Sequence, residues 1–234
     1  MFRFKQFIVD QTGCAMKINT DGVLLGAIAT GLNPERILDI GTGTGVIALM
    51  LAQRYRDAQI DAVEVDADAL KTAATNFKNS PFSAQLNIFT SDVADFFDGH
   101  KQDKYDLIIS NPPFYINALE SPKANKSLAK HANINFFERL IKDIASHLSP
   151  DGLCWMVLPI STAILIKDLA KQNSLYLQKT ISIHSFKDSE PHREIVCLGF
   201  KEVSFENVKF IIYQSKDVYS EEYKMLLQPY FIAF

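Results

Sequence analysis

A short segment that could hold and activate an amino group, Ser110-Asn111-Pro112-Pro113-Phe114, is the most specific feature of the sequence. Its consecutive prolines stiffen the backbone and remove two N–H donors, so the carbonyl of Pro112 can be held outward as an acceptor. Together with the side-chain oxygen of Asn111 it offers two acceptors to one NH₂ group. Phe114 adds a face on which a planar group can stack. The segment therefore predicts a site for an amino group attached to a planar system.

The chemistry of such an amino group explains why two acceptors are needed. Its nitrogen is a weak nucleophile because its lone pair is delocalised into the planar system. Acceptors that hold its hydrogens polarise the nitrogen and stabilise the positive charge that it gains during attack. Alignment with an electrophile supplies much of the remaining rate, and no strong general base is required because the product ammonium is acidic. Taken alone, the tetrapeptide Asn111–Phe114 would also suit a rigid turn that packs a core phenylalanine.

A glycine-rich turn, residues 39–45 (Asp-Ile-Gly-Thr-Gly-Thr-Gly), lies between a predicted strand and a predicted helix. Glycines permit a tight turn and close approach of the backbone to a ligand. A dinucleotide fingerprint requires a further glycine at position 46, where this chain has Val46,. The spacing of Gly41, Gly43 and Gly45 is instead typical of S-adenosylmethionine binding. It favours that cofactor over a nicotinamide dinucleotide.

Acidic residues lie at the ends of three successive predicted strands, at Asp39, Glu64 and Asp92. The carboxyl ends of parallel strands meet at one edge of a sheet, where ligands of open α/β folds bind. Glu64 is placed to accept hydrogen bonds from ribose hydroxyls, and Asp92 to accept one from an adenine amino group. A single acid at a strand end could be an ordinary surface residue. Three at one edge predict a cofactor that contains a nucleoside.

The elements that must position these residues alternate between short apolar runs and helical periods. The predicted strands are 36–40, 60–65, 86–89, 105–110, 152–158, 175–185 and 194–203, and the predicted helices are 46–54, 67–79, 135–148 and 161–172. Strands separated by helices indicate a mainly parallel sheet with helices on both faces. The last two strands are joined by a polar connection that contains Pro191, which favours antiparallel pairing. The predicted fold class is α/β: a Rossmann-like class I methyltransferase fold with a seven-stranded, mainly parallel sheet and an antiparallel C-terminal hairpin.

Size and composition favour one domain. The chain has 234 residues, of which 47% are apolar and 22% charged, as expected for a domain with a sizeable core. Its cysteines, Cys14, Cys154 and Cys197, are far apart, which fits a reducing compartment without disulfides,. The N-terminus lacks the apolar run of an export signal, and no apolar stretch is long enough to span a bilayer. We therefore expect a monomeric cytoplasmic protein that does not enter a membrane.

Charge and histidine spacing bear on possible partners. The formal charge of −3 argues mildly against a nucleic-acid partner,, although a local patch can carry such a contact. Lys123, Lys126 and Lys130 form the candidate patch, since no acidic residue lies between Lys123 and Glu138. A solvated polar loop is the alternative interpretation. The five histidines are scattered and no Cys/His pair has zinc spacing,, so no metal site is expected.

Nearly the whole chain resembles the bacterial tRNA1(Val) (adenine-37-N6)-methyltransferase family. Beyond the glycine turn and the tetrapeptide, the similar segments are Phe4-Lys5-Gln6-Phe7, Cys14-Ala15-Met16-Lys17, Thr20-Asp21-Gly22-Val23-Leu24-Leu25-Gly26, Tyr219-Ser220-Glu221-Glu222-Tyr223 and Tyr230-Phe231. These segments are more specific than the glycine turn, which many methyltransferases share. The resemblance implies one domain, in which residues 1–33 cover the cofactor, 34–160 hold it and catalyse transfer, and 161–234 form the hairpin and tail.

The resemblance also implies roles for individual residues. The cofactor S-adenosylmethionine would be bound by Thr20, Asp21, Asp39, Gly41, Gly43, Gly45, Glu64, Asp92, Val93 and Asn111. A flipped-out adenine from the anticodon loop of valine tRNA would be received by the catalytic residues Asn111, Pro112, Pro113 and Phe114,. In that setting, Lys123, Lys126 and Lys130 would contact RNA phosphates.

One departure from the family keeps alternatives open. The family usually has tyrosine after the two prolines, and this chain has Phe114. Phenylalanine at this position also occurs in ribosomal-RNA methyltransferases, so an adenine-N6 or guanine-N2 enzyme for rRNA is an alternative. A methyltransferase for protein glutamine shares the tetrapeptide, but the 38 residues before Asp39 are too few for its helical substrate domain. A non-catalytic S-adenosylmethionine-binding module is a further alternative, which the intact tetrapeptide disfavours.

Overall fold

The structure is a computed structural model that describes residues 1–112 and 126–234, with side chains described in the second range from residue 133. In chain order, its strands are β1 (Phe2–Arg3), β2 (Ile8–Val9), β3 (Arg36–Ile40), β4 (Gln59–Glu64), β5 (Leu86–Thr90), β6 (Tyr105–Ser110), β7 (Leu148–Leu158), β8 (Tyr176–His184), β9 (Pro191–Gly199), β10 (Glu206–Ile211), β11 (Tyr213–Ser215) and β12 (Val218–Tyr219). Its α-helices are α1 (Thr20–Ile28), α2 (Val46–Arg54), α3 (Ala67–Lys78), α4 (Val93–Gly99), α5 (Lys126–His147), α6 (Ile160–Gln172) and α7 (Glu221–Leu227).

The central sheet determines which residues can meet at one edge. Its eight strands lie in the order β10-β8-β9-β7-β6-β3-β4-β5. Strand β9 pairs antiparallel with both β7 and β8, and the other neighbouring strands pair parallel. The chain starts the sheet at β3, continues outward through β4 and β5, and then returns to the other side of β3 with β6. This reversal of strand order creates the crevice in which ligands of open α/β sheets bind.

The buried strands read as continuous apolar runs because both faces of the sheet are covered. Along β3, Ile37 packs into one apolar cluster with helices α1, α2 and α7, whereas Leu38 packs into a second with α4, α5 and α6. Strand β6 divides its residues in the same way, with Leu107 and Ile109 on one side and Ile108 on the other. The helices therefore lie on both faces, as the alternation of elements predicted.

Helix α1 is fixed at both of its ends. The side chain of Asn19 caps its start by accepting a hydrogen bond from the backbone N–H of Gly22 at 2.9 Å,. At the other end, the Arg54 guanidinium donates to the carbonyls of Gly26, Ala27 and Ala29, and it also reaches the Tyr230 hydroxyl at 2.8 Å. Because cations stabilise exposed carbonyls at a helix C-terminus, Arg54 attaches α1 firmly to α2.

The expected antiparallel hairpin is confirmed as β8 and β9, but the expected number of strands was wrong. The main sheet has eight strands rather than seven, because β10 adds to its edge parallel to β8. Strand β10 pairs on one side only, and most of its side chains are polar or exposed. Its short inward-facing set, Val208 and Phe210, gave too weak a pattern to predict a strand. Among the described residues, no helix is long and apolar enough to cross a membrane.

The turn from β3 into α2 has a steric requirement for glycine at its last position. Gly45 adopts a φ of +81°, and a Cβ built on it would collide with the ring of the buried Phe77. Gly41 also has a positive φ, of +69°, but a Cβ there would meet nothing within 4 Å. Substituting alanine at each position therefore distinguishes the cost of the left-handed backbone, present at both, from the cost of steric overlap, present only at Gly45,.

We predict that Gly45→Ala lowers the free energy of unfolding by about 3 kcal/mol, whereas Gly41→Ala lowers it by about 1 kcal/mol. Both alanines carry the cost of a left-handed backbone, and only the one at position 45 must also displace Phe77. Urea denaturation of the two purified variants beside the parent measures the difference. Equal losses for the two variants would show that the contact with Phe77 does not determine the choice of glycine.

Candidate cofactor and catalytic site

A cavity of about 260 Å³ opens at the carboxyl edge of the sheet, on both sides of the end of β3. Its walls come from the turns that follow β3, β4, β5 and β6, from the segment before α1, and from α5. The lining residues are Cys14, Ala15, Met16, Ile40, Gly41, Gly43, Val63, Glu64, Val65, Asp66, Ala69, Ser91, Asp92, Val93, Ser110, Asn111, Pro112 and Phe136. The position is the one predicted for a ligand at the crevice where the strand order reverses.

The glycine turn forms one wall of this cavity. The backbone N–H groups of Gly41 and Thr42 donate to the Val63 carbonyl, at 2.9 and 3.1 Å, so the turn is attached to the neighbouring strand β4. Gly41 and Gly43 have φ values of +69° and +58°, and a Cβ on either would meet nothing within 4 Å. Because these two glycines are open on the side where a Cβ would stand, a ligand can approach the backbone there.

The Glu64 carboxylate joins the turns that follow β3 and β4. One oxygen accepts a hydrogen bond from the Gly43 N–H at 2.8 Å. The other accepts from the N–H groups of Val65 and Asp66, both at 2.9 Å. Glu64 is only 9% exposed, yet it lines the cavity. A carboxylate held by three backbone donors is fixed in place, which suits an acceptor for a ligand hydroxyl.

Asp39 lies beneath the glycine turn and is fully buried. The Thr42 hydroxyl donates to its Oδ2 at 2.6 Å, while its Oδ1 has no hydrogen-bond partner within the described part of the chain. Burial raises the pKa of Asp39 to about 7, opposed in part by the hydrogen bonds from Thr42 and Ala48,. Asp39 therefore supplies a buried acceptor that a cationic ligand group would stabilise in its charged form.

Asn111 lies where β6 ends, against the first turn of α1. The Ser110 hydroxyl beside it donates to the Ile40 carbonyl at 3.1 Å, which ties the end of β6 to that of β3. A Cβ built on Gly22 would stand 3.7 Å from the Asn111 amide nitrogen, so α1 approaches this side chain closely. The amide oxygen of Asn111 is buried, and none of the described residues donates to it. Asn111 and the buried Pro112 both line the cavity.

S-adenosylmethionine fits the residues of this cavity. Its ribose requires a fixed acceptor, which Glu64 provides, and its adenine requires apolar walls such as Val63, Val65 and Ala69. Its methionine ammonium would bring a positive charge near Asp39, whose Oδ1 accepts no hydrogen bond from the described residues. Asp92 also lines the cavity, and one of its oxygens caps α4 by accepting from the Ala94 N–H at 2.8 Å. The acceptors and the open glycine turn thus match a nucleoside bearing a cationic tail.

The structure places seven of the predicted site residues on the cavity wall and others away from it. Those on the cavity wall are Gly41, Gly43, Glu64, Asp92, Val93, Asn111 and Pro112. Asp39 and Gly45 lie behind the wall, and Asp21 pairs with Arg193 at 2.8 Å. Thr20 begins α1 beside Asp21 and is not part of the lining. Pro113, Phe114 and Lys123 fall outside the described residues, as do the side chains of Lys126 and Lys130.

Several lining residues were not predicted as site residues. They are Cys14, Ala15, Met16, Val65, Asp66, Ala69, Ser91 and Phe136, together with Ile40, Val63 and Ser110 within the strands. The segment Cys14–Lys17 resembles a segment of the family, but none of its residues has a spacing that indicates a ligand. Phe136 comes from α5, and its place in the cavity depends on how that helix packs on the sheet.

We predict that Asp39→Asn reduces the pH dependence of stability. Because the folded-state pKa of about 7 lies above the ordinary 3.8, the folded state keeps a proton in this window that the unfolded state has lost, so the parent's stability falls as pH rises up to about 7. Between about pH 5.5 and about pH 8, the parent should lose roughly 2 kcal/mol more of unfolding free energy than the variant. Urea denaturation without cofactor measures this. Parallel pH profiles for the two proteins would contradict the raised pKa.

Comparison with known proteins places the chain among methyltransferases. A family model described as methyltransferase small domain matches residues 19–164. A tRNA1(Val) (adenine(37)-N6)-methyltransferase from Pedobacter heparinus is 47% identical over 233 residues, which cover 100% of this chain and 98% of the relative. Proteins of the same name from Flavobacterium johnsoniae and Bacteroides fragilis are 38% and 36% identical, over 99% of this chain and 99% and 97% of the relatives.

Solved structures agree with the fold. A predicted O-methyltransferase from Agrobacterium tumefaciens superposes with a TM-score of 0.68 at 17% identity, covering 90% of this chain and 96% of that chain. A structure described as TrmN from Thermus thermophilus superposes with a TM-score of 0.56 at 19% identity, covering 76% and 46%. At these identities the structures show the fold alone, and the sequence relatives identify the family. The chain belongs to the tRNA1(Val) (adenine(37)-N6)-methyltransferase family, as its sequence motifs predicted.

Proposed function

We propose that this chain transfers a methyl group from S-adenosylmethionine to the N6 amino group of adenine 37 in the anticodon loop of tRNA1(Val). The relatives that cover its full length carry this activity in their names. The structural observation that carries the proposal is Asn111, whose buried amide oxygen has no partner among the described residues, on the wall of the cofactor cavity. It is an acceptor for which no described residue supplies a donor,.

The described residues account for the orientation of both reactants. S-adenosylmethionine supplies an electrophilic methyl group on a sulfonium. Glu64 and the glycine turn fix the ribose end of the cofactor, and Asp39 attracts its ammonium end. Asn111, at the end of β6, lines the same cavity. In this proposal it accepts one N6 hydrogen of the adenine. Holding the methyl group and the N6 nitrogen in line removes much of the entropic cost of bringing the two reactants together.

Activation of the amine follows from acceptor geometry rather than from a base. The Asn111 oxygen, and in our proposal the Pro112 carbonyl, each take one N6 hydrogen and stabilise the charge that develops on nitrogen. Pro113 and Phe114 complete the proposed catalytic segment, with the phenyl ring stacked on the base. Asp92 and Val93 flank the adenine of the cofactor. Loss of the extra proton from the product requires no buried base, because an N-methylated ammonium conjugated to a ring is a strong acid.

The substrate loop determines how the base arrives. An adenine in a stacked anticodon loop must turn out of the stack to reach a cavity below the protein surface, at a modest cost for a single-stranded nucleotide. We further infer that Lys123, Lys126 and Lys130, which follow the catalytic segment in sequence, contact the phosphates beside it. We place the reaction in the cytoplasm and propose that the 234 residues act as one monomeric domain.

We predict that the purified protein, given methyl-labelled S-adenosylmethionine and unmodified valine tRNA, produces labelled N6-methyladenosine within the anticodon loop. Nucleoside mass spectrometry after digestion identifies the base, and sequencing of the labelled fragment identifies the position. A tRNA with guanine at position 37 is the matched control and should remain unlabelled. Labelled guanosine would support the guanine-N2 alternative, and label only on ribosomal RNA would contradict the tRNA assignment.

We predict that Asn111→Ala lowers kcat by about a hundredfold or more, because it removes an acceptor used in the transition state. Affinity for S-adenosylmethionine, measured by calorimetry, should change little. Asn87→Ala is a matched control, since Asn87 bonds to Asp61 at the start of β5, away from the cavity. If Asn111→Ala kept near-parental turnover, Asn111 would have no catalytic role.

A further inference from the structure

A segment without helix or strand lies against the cofactor cavity, between β2 and α1. We name residues 10–16 the strap. Three of its members, Cys14, Ala15 and Met16, line the cavity. Gly13, with a φ of +81°, turns the chain immediately before them. The strap therefore forms a wall of the cofactor site, although it belongs to none of the regular elements that build the sheet.

The strap has hydrogen bonds within itself and hydrogen bonds to neighbouring segments. The Asp10 carboxylate accepts from the N–H groups of Gln11 and Thr12 and from the Thr12 hydroxyl, at 2.8 to 3.1 Å. These bonds set the shape of the strap but do not attach it to the rest of the protein. Attachment comes from α3, whose Thr72 hydroxyl donates to the Thr12 carbonyl at 2.6 Å. The second attachment from α3 is Asn76.

Asn76 is only 3% exposed and uses its amide on two sides. Its oxygen accepts from the Asp10 N–H at 2.8 Å, and its nitrogen donates to the Asp10 carbonyl at 2.9 Å. The same nitrogen donates to the Thr44 carbonyl, within the glycine turn, also at 2.9 Å. One buried amide thus joins the strap to the glycine turn, two parts of the cavity wall that have no regular secondary structure.

We propose that Asn76 is a positioning residue for S-adenosylmethionine, holding the strap and the glycine turn at the separation that the bound cofactor requires. The proposal rests on the cofactor and not on the identity of the RNA. Only an amide presents one acceptor and two donors in this geometry. Aspartate would keep the acceptor but turn a negative oxygen toward two carbonyls, and alanine would leave three backbone groups unpaired.

The thiol of Cys14 reports on the strap directly. It is 8% exposed on the strap, whereas Cys154 and Cys197 are 0% and 1% exposed within the sheet. Burial raises the pKa of all three thiols, and for Cys154 and Cys197 it does so strongly. A thiol reagent should therefore modify Cys14 first, at a rate set by how often the strap opens. Peptide mass spectrometry confirms which cysteine has reacted.

The first test compares the parent protein with Asn76→Ala in the absence of cofactor, using iodoacetamide as the thiol reagent. We expect Cys14 to react about tenfold faster in the variant, because the lost hydrogen bonds held the strap closed. Asn87→Ala again serves as the control, because it removes a hydrogen-bonded asparagine on the exposed side of β5, away from the strap. An unchanged Cys14 rate, or the same increase in Asn87→Ala, would overturn the proposal.

The second test separates cofactor positioning from general damage. By calorimetry, the Kd for S-adenosylmethionine should rise about tenfold in Asn76→Ala. The KM for tRNA and the kcat at saturating cofactor should change little. If Asn76→Ala fails to fold, Thr72→Val removes the other attachment from α3 to the strap and should also raise the Kd. A normal Kd in both variants would overturn the proposal, whichever RNA the enzyme methylates.

Discussion

The rest of the site depends on one buried carboxylate, that of Glu64, and on the three backbone N–H groups that it holds. One oxygen fixes Gly43 in the turn after β3, and the other fixes the turn after β4. Two loops from neighbouring strands are thus locked together by a side chain that still lines the cavity. A carboxylate this buried costs free energy unless it is hydrogen-bonded. The three backbone donors therefore allow Glu64 to line the cavity, and Glu64 in return holds the two turns in place.

The elements around Asn111 are also joined to one another by hydrogen bonds and an ion pair. The first turn of α1, capped by Asn19 and tied to β9 through the ion pair between Asp21 and Arg193, lies against Asn111. Ser110 joins the end of β6 to that of β3. Asn111, the proposed acceptor for the substrate amine, and the glycine turn therefore follow adjacent parallel strands, β6 and β3. Their separation is set by the sheet rather than by flexible loops, and a reaction that depends on alignment requires such a rigid support.

Much of this arrangement was predictable from sequence, for a physical reason. Strands buried on both faces appear in the sequence as apolar runs, so the bounds of β3 and β6 were predicted correctly. The position of the turn after β3 was also predicted, from its run of glycines. The edge strand β10 was missed because it has one neighbour and few buried side chains. Asn76 was also missed, since its bonds join residues 66 positions apart, and no local spacing indicates such a contact. The ion pair of Asp21 likewise depends on tertiary packing.

The most direct measurement is a crystal structure of the protein with S-adenosylhomocysteine and the anticodon stem-loop of valine tRNA. We expect adenine 37 to be turned out of the stack, with N6 within hydrogen-bond distance of the Asn111 oxygen and facing the cofactor sulfur. Glu64 should contact the ribose. An adenine that remains stacked in the loop, or a different base seated against Asn111, would contradict the assignment of the site to adenine N6.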